Sequence, residues 1–252
     1  MDLDPLNVRR GVGTLINARR TLLPLPLVDG PAPAARDVLP PFEELASRAG
    51  RVSVACAVHD GSAVALVGVA RAFEEAGLRP EAISAGAAAL LWGAMWAAGM
   101  DADEMAAYSL SWRPESALGV QWTGLPRLGV SAVRGFGGLA RGAAVEHLFP
   151  RHVWRMEAGE TEIPLRTLAY DLDGGRLEEL GSEATPGLTL GELVRVAVAP
   201  RRRGEAVRIE GRFYASAREP AFYDLFLDRR RWPRAIRASY ELTRRRLSAS
   251  PS

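Results

Sequence analysis

Two hydrophobic periods alternate along this chain. Val52 to Val58 reads V-S-V-A-C-A-V, a short apolar run suited to a buried strand. Ser62 to Gly77, S-A-V-A-L-V-G-V-A-R-A-F-E-E-A-G, predicts a helix with Gly77 as its C-cap. Leu78, Arg79 and Pro80 then lead into a strand ending at Ser84. A turn of very small residues and an apolar helix follow within Ile83 to Met100, I-S-A-G-A-A-A-L-L-W-G-A-M-W-A-A-G-M. From Pro233 another helix carries Ile236, Tyr240, Thr243 and Leu247 along one side. Apolar strands interleaved with helices predict an α/β fold with a mainly parallel sheet covered on both faces.

Three regions emerge. Residues 1–50 hold a proline-dense arm (Pro24, Pro26, Pro31, Pro33, Pro40, Pro41) and a short helix, Phe42 to Ala49, closed by Gly50. Residues 51–228 form the α/β domain, and residues 229–252 a basic C-terminal helix and tail. Within the core, Ser111 to Gly138 is rich in Trp, Pro and Gly, with Trp112 and Trp122 as bulky anchors. It is either a loop whose tryptophans pack on the core or a partner surface.

The turn inside Ile83 to Met100 has the form of a nucleophile elbow. There a G-x-S-x-G bend between strand and helix projects a serine, and small neighbours keep strand and helix from colliding. Here its five positions are Ala85, Gly86, Ala87, Ala88 and Ala89. Together with G-V-A-R-A-F-E-E-A-G-L-R-P-E-A-I-S, this segment resembles the N-terminal core of the patatin-like phospholipases. That family reads G-V-L-x-A-L-x-E-x-G, then I-x-G-T-S-A-G-A, then a helix ending A-x-G. I-P-L-R-T-L-A-Y-D-L-D-G-G-R-L-E-E-L-G-S resembles the strand and hairpin with its T-D-L-x-T-G-type signature. L-G-E-L-V-R-V-A-V-A-P resembles the A-V-R-A-S-x-A-x-P helix, and V-R-I-E-G-R-F-Y-A-S-A the segment ending G-x-x-Y-x-D-G-G. The similarity spans roughly residues 51–228. It implies a patatin-like three-layer α/β fold, a mainly parallel central sheet flanked by helices, and a Ser–Asp dyad for acyl hydrolysis. For Ser111 to Gly138 it implies a lipid-facing cap as a further alternative.

The resemblance also locates what is missing. The serine position falls on Ala87, whose methyl cannot attack a carbonyl, and the aspartate position on Ser216, which is no base at neutral pH. The oxyanion loop, G-G-G-x-R-G in the family, falls on Val58, His59, Asp60, Gly61, Ser62 and Ala63. Glycines let backbone N–H groups approach a developing oxyanion, and losing one donor alone costs about 10²–10³ in rate. Asp60 would add negative charge beside a negative transition state. These losses together imply a pseudoenzyme that binds a lipid or acyl ligand or a protein partner. The alternatives are an atypical lipid acyl hydrolase using Ser216, His59 and Asp60, or a scaffold subunit. Ser84 is expected to be a small structural residue facing a strand neighbour, Cys56 a buried inert thiol, and Glu210 and Glu219 surface or turn carboxylates.

Composition narrows the field. The chain has 252 residues, 48% hydrophobic and 25% charged, with a net charge of +2. A pI of about 9.0 without a basic stripe interleaved with aromatics argues against nucleic acid as a partner. One cysteine, no H-E-x-x-H and no C-x-x-C argue against a disulfide framework and a metal site, and no cofactor is implied. The acidic start M-D-L-D is unlike a secretory leader, and T-L-L-P-L-P-L-V is too short to span a bilayer, so a cytoplasmic location is expected. Lysine is absent, so arginine carries all the basic charge. The Arg-rich C-terminal helix either packs on its own core or touches an anionic membrane or a partner, such as an active patatin-like paralogue. Arg201 to Arg203 forms a second run, read as a solvated loop or an anion site.

Overall fold

The computed structural model describes Leu39 and residues 52–56, 61–112, 143–146, 148–204, 206–217 and 231–249. Its strands are β1 (Val54–Cys56), β2 (Ile83–Ala85), β3 (Leu165–Asp171), β4 (Arg176–Gly181), β5 (Val207–Ile209) and β6 (Arg212–Ser216). Its helices are α1 (Ala65–Glu75), α2 (Ala89–Ala97), α3 (Ala102–Ser111), α4 (Ala143–Glu146), α5 (Arg151–Arg155), α6 (Leu190–Val198) and α7 (Trp232–Ala249). The expected helix at Phe42 to Ala49, the proline arm and Trp122 lie outside the described residues.

The α/β class predicted by the alternating periods is present. β1, β2 and β3 pair in parallel, as strand–helix–strand crossovers require, whereas β3–β4, β3–β6 and β5–β6 are antiparallel. The expected helix over Ser62 to Gly77 starts as a 3-10 turn, Gly61–Val64, and continues as α1. Gly77 sits one residue past the cap with φ +61, and Leu78 N–H reaches back to Phe73 O, the six-to-one bond of a Schellman close. α3 and α6 are opened by capping boxes at Asp101/Glu104 and Thr189/Glu192.

α2 is buried on every side, which explains an apolar segment with no polar face. It can lie directly on the sheet because Gly93 has no side chain: a Cβ there would stand 2.9 Å from the Ala85 methyl. α6 packs beside α2 against β3 and β6, and Leu165, Thr167, Ala169 and Asp171 point into this layer. The opposite sheet face is exposed at Ser84 and Leu168. Among the described strands β1 lies at the edge, with Val54 and Cys56 only half-buried, so its apolar run does not mark a fully buried strand. Cys56 is accordingly half-buried rather than enclosed.

α7 begins at Trp232 and packs along α1, burying Trp232, Ile236 and Tyr240, so much of its apolar stripe is used by the chain's own core. Gly68 on α1 permits the approach, since a Cβ there would overlap the Ile236 carbonyl oxygen and Ser239 Oγ. Ser239 Oγ donates to Ala65 O at 2.7 Å, and Tyr240 Oη donates to Glu75 Oε2 at 2.8 Å. Glu75 is completely buried and stands 3.5 Å from the Arg71 guanidinium. Trp112 also joins the core, stacked with Trp92 and Trp232 at ring separations of 5.3 and 5.9 Å. For Trp112, the core-packing reading is the observed one.

Candidate functional site: a remnant elbow at a shared strand edge

The bend between β2 and α2 has the strained geometry that its sequence suggested. Ala87 stands at φ +49, a left-handed conformation that costs an L-residue roughly 1–2 kcal/mol. Gly86 N–H bonds Cys56 O at 3.0 Å, tying the bend to the end of β1. Leu90 N–H and Leu91 N–H then bond Ala87 O and Ala88 O as the helix begins. At the position where an elbow presents its nucleophile, the chain carries a methyl group, itself 7% exposed.

Strand register brings Ser216 to the same strand edge. β4 occupies one edge of β3 from Arg166 to Asp171. Since a strand has only two edges, β2 and β6 must share the other: β2 pairs at Leu165 and Arg166, β6 at Ala169 to Asp171. β6 runs antiparallel to β2, so their C-terminal ends point at each other across Thr167 and Leu168. β2 ends at Ala85, just before the bend at Ala87, and β6 ends at Ser216 opposite Ala169, so both positions at which the resemblance expects a dyad lie toward the unpaired gap at Thr167 and Leu168 on this edge.

Ser216 is enclosed at the end of β6 and its backbone is fastened on both sides. It is 1% exposed, and its N–H bonds Ala199 O at 2.9 Å. Its carbonyl accepts from Arg201 Nε at 3.1 Å, and Arg201 also donates to Ala217 O. Arg201 is fixed in turn by stacking over the Tyr170 ring at 4.3 Å. Arg203 pairs with Asp173 at 2.9 Å and lies over Phe213. Of the three arginines read as a solvated loop or anion site, Arg201 thus fastens the end of β6 and Arg203 lies against its start. The sequence offered only a charge run; the partner ring, Tyr170, lies in β3 and could not be paired with it from spacing.

Of the oxyanion loop, Gly61, Ser62 and Ala63 form the 3-10 turn, with Ser62 exposed and Ala63 buried. Val58, His59 and Asp60 lie outside the described residues, as do Glu219 and His147. Ser84 pairs with Arg166 in the sheet but turns its side chain to the exposed face. Glu210 occupies a hairpin turn at the far end of β6 from Ser216, with φ +47. One group was not anticipated: the Thr167 hydroxyl, on the buried face between the ends of β2 and β6, is enclosed without a hydrogen-bond partner.

No family model and no curated protein matches the chain. Among solved structures, VipD from Legionella pneumophila aligns with a TM-score of 0.39 at 11% identity, covering 68% of this chain and 46% of that one. The chain thus spans less than half of the length of VipD.

The D-L-D-G-G signature has a structural role. Asp171 is buried at the end of β3, and its Oδ1 accepts the Asp173 N–H at 2.8 Å to close the β3–β4 turn. The Gly174 N–H, then that of Asp173 and the Arg212 guanidinium, hold its carboxyl below the usual range. It is committed to the hairpin. Among the described residues no group of three or more His, Cys, Asp or Glu could hold a metal ion, and no helix is long and apolar enough to cross a membrane.

Proposed function

We propose that this chain is a patatin-like protein without acyl-hydrolase activity, acting by binding a lipid or acyl ligand or a protein partner at the remnant cleft. The observation that carries this reading is Ala87: the left-handed φ of an elbow is kept while its side chain has no atom able to attack a carbonyl. Ser216 supports it from the other side of the gap. An alcohol there cannot serve as general base, and its burial argues against the alternative in which Ser216 is itself the nucleophile.

The test is exposure of the full chain to a fluorophosphonate probe, together with short- and long-chain ester assays. The expected result is no covalent adduct on any serine and no turnover above the uncatalysed rate. Labelling of Ser216 or of any other serine would overturn the proposal and restore the hydrolase reading. Recovery of a stable protein complex from native cells would favour a partner over a lipid as the bound species.

A further inference from the structure

We propose that the outward face of α7 is a docking surface for anionic lipid membranes, independently of what the elbow does. Because Trp232, Ile236 and Tyr240 are consumed against α1, the side of the helix turned away from the protein is fixed. At 100° per residue it carries Arg234, Arg237 and Arg245, with Glu241 among them and Arg246 on the flank, all exposed. Among the described residues outside this helix, Arg71, Arg79, Arg166, Arg176 and Arg212 each face carboxylates. Arg234, Arg237 and Arg245 have no such partner among the described residues.

The charge is segregated. α7 holds five arginines against the single Glu241, a surplus of four. The whole chain carries +2, so everything outside this helix sums to −2. A weakly acidic body with one cationic helix orients in the field of a negative surface and presents that helix to it.

Charge alone would suit any polyanion. A lipid surface is favoured by what lies between the arginines. Ala238 and Leu242 fall in one strip on the outward side, with Leu242 53% exposed. Arg234 and Arg245 border the strip on one side and Arg246 on the other. An apolar strip flanked by long cationic side chains suits a headgroup boundary, where leucine enters the acyl layer while guanidinium groups remain among the phosphates. The helix is about 27 Å long, enough to lay several of these arginines on one surface.

The test is co-sedimentation of the full chain with phosphatidylcholine vesicles, with and without about one-third phosphatidylserine, at low and high salt. Binding is expected only with phosphatidylserine and is expected to weaken as salt rises. Each juxtamembrane arginine contributes about fivefold to partitioning, so the triple variant Arg234→Gln, Arg237→Gln, Arg245→Gln should bind about two orders of magnitude more weakly. An Arg151→Gln, Arg155→Gln control, exposed elsewhere on the body, should bind as the parent does. Leu242→Ser should weaken vesicle binding severalfold and leave binding to heparin unchanged. Circular dichroism of each variant checks that α7 remains folded. Absence of phosphatidylserine-dependent binding, or full binding by the triple variant, overturns the proposal. Vesicle binding insensitive to Leu242→Ser, or heparin binding without vesicle binding, replaces the membrane with a soluble polyanion.

Discussion

Gly68→Ala is the substitution that most directly tests how α7 is held. The added methyl would overlap Ile236 O and Ser239 Oγ and stand 2.8 Å from Tyr240 N, so two of the three nearest atoms belong to backbone that cannot rotate away. Ordinary carbon contacts need about 3.5 Å, so α7 must retreat by on the order of 1 Å. That retreat stretches Ser239 Oγ–Ala65 O from 2.7 Å and Tyr240 Oη–Glu75 Oε2 from 2.8 Å beyond useful range. Losing the first costs about 1 kcal/mol, and losing the second, made to a fully buried carboxylate, about 2 kcal/mol. Contacts of Ile236 and Tyr240 with α1 loosen as well, while alanine regains about 1 kcal/mol of helix propensity. The net expectation is a loss of about 2–3 kcal/mol, or about 5–10 °C in melting temperature for a domain of this size. Urea unfolding followed by far-UV circular dichroism measures it. Gly187→Ala, whose Cβ meets nothing within 4 Å, serves as the control and should lie close to the parent. A Gly68→Ala protein as stable as that control would refute close packing of α7 on α1.

Two further outcomes follow from the same structure. Burial raises the Glu74 carboxyl from 4.5 to about 7, so between those values the folded chain binds more protons than the unfolded chain. Stability should therefore decline as pH rises through that window, and Glu74→Gln, which keeps an acceptor for the Ala102 N–H, should flatten the slope in pH-resolved urea titrations; a parent with no slope there would contradict the burial argument. Restoring Ala87→Ser together with Ser216→Asp should give ester turnover barely above background, because Val58 to Ala63 still lacks the family's glycines; substantial turnover would show that this loop still supplies its donors.

Much of the architecture was legible because its signals are local. The cap at Gly77, the β3–β4 hairpin and the strand–helix bend at Ala87 are each written within a few consecutive residues. What could not be read depends on neighbours distant in the chain. The half-exposed position of β1 follows from its place at the sheet edge, which an apolar run of that length does not encode. Arg201 on Tyr170 and Ser216, and Tyr240 on Glu75, join residues whose pairing no spacing rule predicts. The glycine of G-V-A-R-A-F-E-E-A-G has a similar lesson. In sequence Gly68 is only a helix-weakening residue, and its use appears once α7 lies across it.

The shared edge of β3 also bears on how the chain acquires its structure. One half, from β1 to α2, is assembled by crossovers; the other, from β3 to β6, is largely assembled by hairpins, which close short loops and form fast. β3 is the strand both halves use, and docking β2 against it closes the long loop between Ser84 and Arg166. The unpaired gap at Thr167 and Leu168 is therefore where two differently connected halves of the sheet meet. A ligand bound across that edge would touch both halves, and would stabilise the folded state whether or not any bond in it is ever broken.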